Sequence, residues 1–176
     1  LRYLFRCKKV GEINGDMWIF PIKSCAPVVV NEFECGKLGP INIFRDRTFM
    51  LVRASNNEFV TARTYPNMVL IKPEIKNEFI LSLSAPGMDD IIIDIEAFKD
   101  SKAKITASVW KDKAPVIDCG DEIAKWFSQF LLEKDDGFRL VYYPSENPKP
   151  YITKRIKKFP AASGIDTGTL HDETSY

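Results

Sequence analysis

The sequence predicts a mainly β domain, an antiparallel barrel or sandwich with one amphipathic helix laid across it. Three observations carry that prediction. Short runs alternate with period two: Phe79, Leu81 and Leu83 against Ile80, Ser82 and Ser84, then Ile91, Ile93 and Ile95 against Asp94 and Glu96, then Ile105, Ala107 and Val109 up to Trp110. Turn formers separate such runs at regular spacing, among them Asn14-Gly15, Ser55-Asn56-Asn57, Tyr65-Pro66-Asn67 and Pro86-Gly87. One segment changes period, with apolar residues at Ile123, Phe127, Phe130 and Leu131 on a helical face.

Taken in order, Leu1 to Asp16 is a mixed lead-in, and the first strand is expected at Met17 to Phe20. Pro21 ends it, fixing its own φ and holding Phe20 extended. Val28-Val29-Val30 opens a β-branched run that continues to about Cys35, broken by Gly36 and Gly39-Pro40. In Thr48 to Arg53, Phe49 and Leu51 alternate with Met50 and Val52, so both faces are apolar, as in a strand buried on both sides. Glu58 to Arg63 reads as its hairpin partner. Met68 to Ile71 reads as a short strand ended by Pro73. For the helix, Asp118 is the expected N-cap, Asp121 and Glu122 favour the dipole in the first turn, Lys134 sits in the last turn, and Gly137 follows. Trp126 joins its buried face. Phe138, Leu140 and Tyr142 resume strand alternation up to Pro144. Beyond that, Pro148, Pro150 and Pro160 interrupt a linker or long surface loop. The expected organisation is a lead-in over 1–16, a β-barrel domain over 17–143, and over 144–176 a linker and the truncated start of a following domain.

The bulk properties narrow the chemistry. The chain has 176 residues, 45% of them hydrophobic and 12% aromatic, enough to bury a sizeable core within one domain or one domain plus part of another. A formal net charge of +1 supplies no global field toward nucleic acid or anionic membrane, so any anion site is local. The single histidine, His171, excludes histidine-rich metal sites and histidine-based triads from the rest of the chain. Cys7, Cys25, Cys35 and Cys119 form no CxxC pair and no zinc spacing, and read as free thiols in a reducing compartment. No apolar run approaches the roughly 20 residues of a membrane span, so the stretch present is expected to be soluble. Opening on Leu1 rather than Met, it is expected to be part of a longer protein. Lys154-Arg155-Ile156-Lys157-Lys158 has no second basic stripe and no stacking aromatics beside it. It reads as a solvated charge run, and no nucleic-acid partner is expected.

One stretch carries the functional argument. Trp18 to Cys25 runs Trp-Ile-Phe-Pro-Ile-Lys-Ser-Cys, placing the Lys23 ammonium and the Ser24 hydroxyl side by side at a strand end or turn, among backbone N–H groups. That layout suits an anionic oxygen such as a phosphate. Arg45-Asp46-Arg47 and Thr61-Ala62-Arg63 are expected to converge on it. The alternative is a surface lysine beside a turn serine, with Arg47 in an ion pair with an acidic neighbour.

Phe20-Pro21-Ile22-Lys23-Ser24-Cys25, then Arg45-Asp46-Arg47-Thr48-Phe49-Met50-Leu51-Val52, then Phe59-Val60-Thr61-Ala62-Arg63 resemble the MOSC N-terminal β-barrel domain. Asp118-Cys119-Gly120, the Trp126-Phe127 helix and Phe138-Arg139-Leu140-Val141 follow in the order that family has. The nearest member type is the mitochondrial amidoxime-reducing component, which the Thr-Ala-Arg ending with Pro66 close behind it resembles. The C-terminal region of molybdenum cofactor sulfurase, whose upstream domain binds pyridoxal phosphate, is a similar relative. The resemblance covers roughly Met17 to Val141, with a weaker echo at Glu173-Thr174-Ser175.

The resemblance implies an antiparallel β-barrel of MOSC N-terminal type that holds molybdenum cofactor (molybdopterin) against a following MOSC domain. By it, Lys23 and Ser24 match the family's cofactor-contacting Lys-Ser, Arg47 the second arginine of its Arg-Asp-Arg, and Thr174 and Ser175 the Thr-Ser near the start of the second domain. It implies reduction of N-hydroxylated compounds such as amidoximes, with electrons from NADH through a flavin reductase and a small b-type cytochrome, on the cytosol-facing side of the mitochondrial outer membrane. The physics is compatible. A lysine offers a mobile point charge, an arginine a planar fork of donors, and hydroxyls donate to the same oxygens. Arg63 reads equally as a structural ion pair. No catalytic residue and no metal ligand is assigned: the family's molybdenum cysteine lies in the second domain, and Cys25, Cys35 and Cys119 read as buried packing residues. The sequence departs from the family at Ala26-Pro27, where a basic residue and glycine are usual, and between Lys37 and Phe44. Without the metal-ligating half this stretch is expected to lack the cofactor and to be inert. A non-catalytic anion-binding or domain-packing module is the reading that competes.

Overall fold

The structure is a computed structural model and describes residues 15–36, 39–98, 104–110 and 112–144. Two antiparallel sheets dominate. One has four strands in the order β5 (Phe49–Arg53), β11 (Phe138–Tyr142), β10 (Asp112–Asp118), β9 (Lys104–Val109). The other has three, β6 (Lys72–Ile75), β7 (Ile80–Ser84) and β8 (Ile91–Asp94). Two small ribbons, β1 (Met17–Ile19) with β2 (Val28–Val30) and β3 (Glu34–Gly36) with β4 (Gly39–Ile41), complete the β structure of the described residues. The short helix α1 spans Ile95–Phe98 and α2 spans Asp121–Leu132.

The period-two runs form strands as expected, and those of β7, β8 and β11 meet β5 in one core. Phe49, Leu51, Leu81, Leu83, Ile93, Phe138 and Leu140 are all buried in it, with Phe127 from α2. The opposite face of β5 is also covered: Val52 joins Ala107, Val116 and Val141 in a second, smaller cluster. Reading Thr48 to Arg53 as a strand apolar on both faces therefore holds.

The expected barrel closure is not seen. Among the described residues the sheets stay open, and none returns to pair with its own first strand. Pairing between β10 and β11 is limited to Ile117 with Tyr142 and Asp118 with Val141. It stops short of Pro115, which has no N–H to give to a ladder. Met68 to Ile71 is not a strand. Pro66–Leu70 is a 3-10 helix with proline in its first turn, and its three-residue period buries Met68 and Ile71 while Val69 and Leu70 stay exposed. Glu58 to Arg63 pairs with β5 only through Phe59 opposite Val52 and the hydrogen bonds flanking it, then turns at Thr61. The chain around Ile95 leaves the sheet as α1, so the helix count exceeds the one expected.

Helix α2 packs on β11 and is polar on its outer face, as its spacing requires. Its N-cap is Gly120 rather than Asp118, at a φ of 102° that only glycine adopts readily. Asp118 instead accepts the Gly120 N–H at 2.9 Å and forms a paired contact with Arg139. The helix leaves through Glu133 in the left-handed region, with no basic residue in its last turn, so Lys134 lies beyond it. Trp126 is buried, and its Nε1–H donates to the Asp89 carbonyl at 2.7 Å.

Ser128 joins helix to sheet. It is fully buried, its hydroxyl donates to the Ala124 carbonyl at 2.8 Å, and it accepts the Phe138 N–H at 3.0 Å. Ser128→Ala leaves that N–H buried without a partner, so chemical denaturation should show a loss of about 1–3 kcal/mol. A loss within experimental error would mean that β11 does not depend on this contact.

Candidate functional site

The candidate site is built where the Phe20–Ser24 stretch runs beside the start of β5. The Arg47 N–H donates to the Phe20 carbonyl at 2.7 Å, the Phe49 N–H to Pro21 at 2.9 Å, and the Lys23 N–H to the Phe49 carbonyl at 2.8 Å. Pro21 can only accept in this ladder, which it does. The pairing is parallel at Ile22 and Phe49, both fully buried, so the residues flanking them are carried to one end of β5.

Lys23 and Ser24 occupy the centre of a turn closed by the Cys25 N–H on the Ile22 carbonyl at 3.2 Å. Ser24 has a φ of 69°, at the position that type II turns fill with glycine or asparagine. Arg47 has a φ of 53°. Two of the residues singled out in the sequence thus sit in a conformation that L side chains rarely adopt, and such outliers concentrate at functional sites.

The left-handed turn at Arg47 also brings it back to its neighbour. Strand geometry would send Asp46 and Arg47 to opposite faces, but here the guanidinium pairs with the Asp46 carboxylate and lies 5.3 Å from the centre of the Phe20 ring. Asp46 accepts the Phe20 N–H at 2.8 Å as well. The ion pair with an acidic neighbour is therefore real, and it holds Arg47 in place.

Burial depresses the Lys23 pKa, and the nearby charges of Arg47 and Arg63 lower it further. Lys23 therefore lies within electrostatic reach of both Arg47 and Arg63. The Lys23 ammonium is 5.5 Å from the centre of the Phe59 ring. Arg45 does not join them. Its guanidinium donates to the Tyr143 carbonyl at 3.3 Å and lies over the Tyr143 ring at 5.3 Å. Thr174 and Ser175 lie outside the described residues.

Burial pushes the Cys25 thiol up to about 12 and raises Cys119 as well, so both are protonated thiols at neutral pH and poor metal ligands. Cys35 is exposed, contrary to its expected packing role. Among the described residues no cluster of His, Cys, Asp or Glu side chains could hold a metal ion, and no helix is long and apolar enough to cross a membrane. A concavity of about 400 Å³ between Phe98, Ile105, Cys119 and Arg139 contains none of the candidate residues. Its arginine is already held by Asp118 and Asp121, so it offers little to an anion.

The donor set suits a phosphate-bearing cofactor: a lysine whose charge is repelled by two arginines, a turn hydroxyl, and an arginine fixed by a carboxylate. It lacks a thiolate for the metal itself.

Residues 11–134 match the MOSC N-terminal beta barrel domain. Mitochondrial amidoxime reducing component 2 of Bos taurus is 37% identical over 152 residues, covering 86% of this chain and 43% of that protein. Mitochondrial amidoxime-reducing component 1 of Homo sapiens is 33% identical, covering 81% and 41%. Molybdenum cofactor sulfurase 3 of Aedes aegypti is 32% identical, covering 76% and 17%. The chain thus spans less than half the length of these curated relatives. With its β architecture, its ordered motifs and a family match over most of its length, this chain belongs to the MOSC N-terminal beta barrel domain family.

Proposed function

We propose that this chain is the cofactor-gripping half of a molybdenum-cofactor oxidoreductase that reduces N-hydroxylated compounds such as amidoximes. Lys23, Ser24 and Arg47 hold the phosphate end of molybdopterin. Thr174 and Ser175 add hydroxyl donors from the start of the following MOSC domain. The observation that carries this reading is geometric: the Phe20–Ser24 stretch is laddered to Arg47 and Phe49, which holds the Lys23-Ser24 turn beside an arginine fixed by Asp46. The similarity to amidoxime-reducing components supports the choice of chemistry.

In the mechanism, the bound cofactor supplies the redox centre. The residues of this chain bind and orient. The Lys23 ammonium neutralises the phosphate, and the Ser24 hydroxyl, in its tight turn, donates to the same oxygens. Arg47, pinned by Asp46, presents the donors its carboxylate partner leaves over. Electrons arrive from an NADH-dependent flavin reductase through a small b-type cytochrome. The names of the relatives support a mitochondrial setting, which we extend to the cytosol-facing outer membrane.

The test is the full-length parent protein. Purified with its cofactor, it should contain molybdenum and pterin and reduce benzamidoxime when supplied with a chemical reductant. A molybdenum-free, inert parent would overturn the reading. A parent that binds pyridoxal phosphate upstream and sulfurates molybdenum cofactor would replace it with the sulfurase reading, which the Aedes aegypti similarity keeps in view.

A further inference from the structure

The connection between β9 and β10 carries a residue that its geometry does not call for. Val109 and Asp112 pair directly across the ladder, so Trp110 opens a tight hairpin connection. Tight hairpins of this kind need a left-handed first residue and are normally filled by asparagine, aspartate or glycine. Here Trp110 takes that position with a φ of 55°, and the residue stays 63% exposed. Its Cβ crowds the following carbonyl in that conformation, and little burial compensates for it.

The location of this residue explains what local geometry does not. The Trp110 ring meets Phe59 edge to face at 5.1 Å, and the Lys23 ammonium lies 5.5 Å from the centre of that same Phe59 ring. The two segments are tied by backbone: the Phe59 N–H donates to Ser108 at 3.0 Å and the Ser108 N–H to Asn57 at 2.9 Å. Trp110 is therefore held no more than one aromatic contact away from Lys23, through the Phe59 ring.

We propose that Trp110, braced by Phe59, is a stacking platform for the planar conjugated ring of a ligand whose anionic group sits at the Lys23 cluster. The anionic end rests on the function proposed above, and the ring end rests on Trp110 alone. An exposed indole offers a flat π-face on which planar rings stack, and it discriminates them from puckered rings of equal charge.

Three phosphates separate these contributions: inorganic phosphate, phenyl phosphate and cyclohexyl phosphate, titrated into the chain with its tryptophan indoles labelled for NMR. Phenyl phosphate should bind about tenfold more tightly than cyclohexyl phosphate and shift the Trp110 indole signal. Trp110→Gly should remove the ring preference while leaving inorganic phosphate affinity within about twofold, because it touches only the ring limb. Glycine suits the turn, so this variant should keep or raise the melting temperature, and Trp110→Phe should retain most of the preference. Equal binding of the two organic phosphates, or an unmoved Trp110 signal, overturns the platform. If inorganic phosphate binds without any ring preference, the anion site stands and the platform falls. If neutral benzamidoxime shifts Trp110 while no phosphate binds, the platform stands and the anion site falls. Benzamidoxime acting on top of saturating phosphate marks a substrate ring, and a requirement for ring and phosphate on one molecule marks the cofactor's own pterin.

Discussion

Phe49→Ala should cost about 3–5 kcal/mol and lower the melting temperature by on the order of 10 °C, the largest effect expected of any single change near the site. Phe49 is fully buried, with the Tyr142 ring 5.2 Å away and the Phe44 ring at 6.3 Å. Its removal leaves a cavity that the surrounding strands cannot close, because β5 is held on one side by β11 and on the other by the Phe20–Ser24 stretch. The backbone of Phe49 both donates to Pro21 and accepts from Lys23, so the cavity lies directly beneath the ladder that aligns Lys23 with Arg47. Amide exchange should therefore quicken at Lys23 and Arg47, and phosphate affinity should fall with it. A denaturation midpoint close to that of the parent would show that the ring is not what holds the two stretches together.

Much of this was readable from residue order, and the failures have identifiable physical causes. Period-two alternation found β7, β8, β9 and β11 because each has one face in the core. It missed β10, where Pro115 interrupts the pattern, and it took Met68–Ile71 for a strand because four apolar residues cannot distinguish a period of two from one of three. Asp118 has the chemistry of an N-cap, but Arg139 claims it from 21 residues further along, a contact no local rule contains. In the site, the Lys23-Ser24 turn and the proximity of Arg47 were legible because Pro21 and the Arg-Asp-Arg order constrain them. The departure of Arg45 was not, since its partner Tyr143 lies 98 residues away. Nor was the meeting of Phe59 with Trp110, which depends on how two loops dock.

Lys23→Met should move stability and affinity in opposite directions. Lys23 has a folded-state pKa below its ordinary value of 10.5, chiefly because it is buried, so folding disfavours its charged form. Below that folded-state pKa the ammonium is present in both states and the penalty is felt in full. Between it and 10.5 the unfolded chain still holds a proton that the folded chain has released, so this group's contribution makes stability rise with pH. Methionine keeps the apolar stem without the charge, so Lys23→Met should be more stable than the parent at pH 7, with the difference shrinking as the pH approaches 10. Phosphate affinity should meanwhile fall by roughly 10- to 100-fold, the loss of one charge-assisted contact. Arg47→Ala makes the contrast: it too should weaken phosphate binding, but it leaves Asp46, whose side chain is only 9% exposed, with the Phe20 N–H and without its cation, so it should destabilise the fold. Paired urea denaturations at pH 7 and pH 10, with and without phosphate, measure all of this. A Lys23→Met chain less stable than its parent at pH 7 would mean that burying the ammonium is no net cost to the fold, and the predicted rise of stability with pH would fail with it.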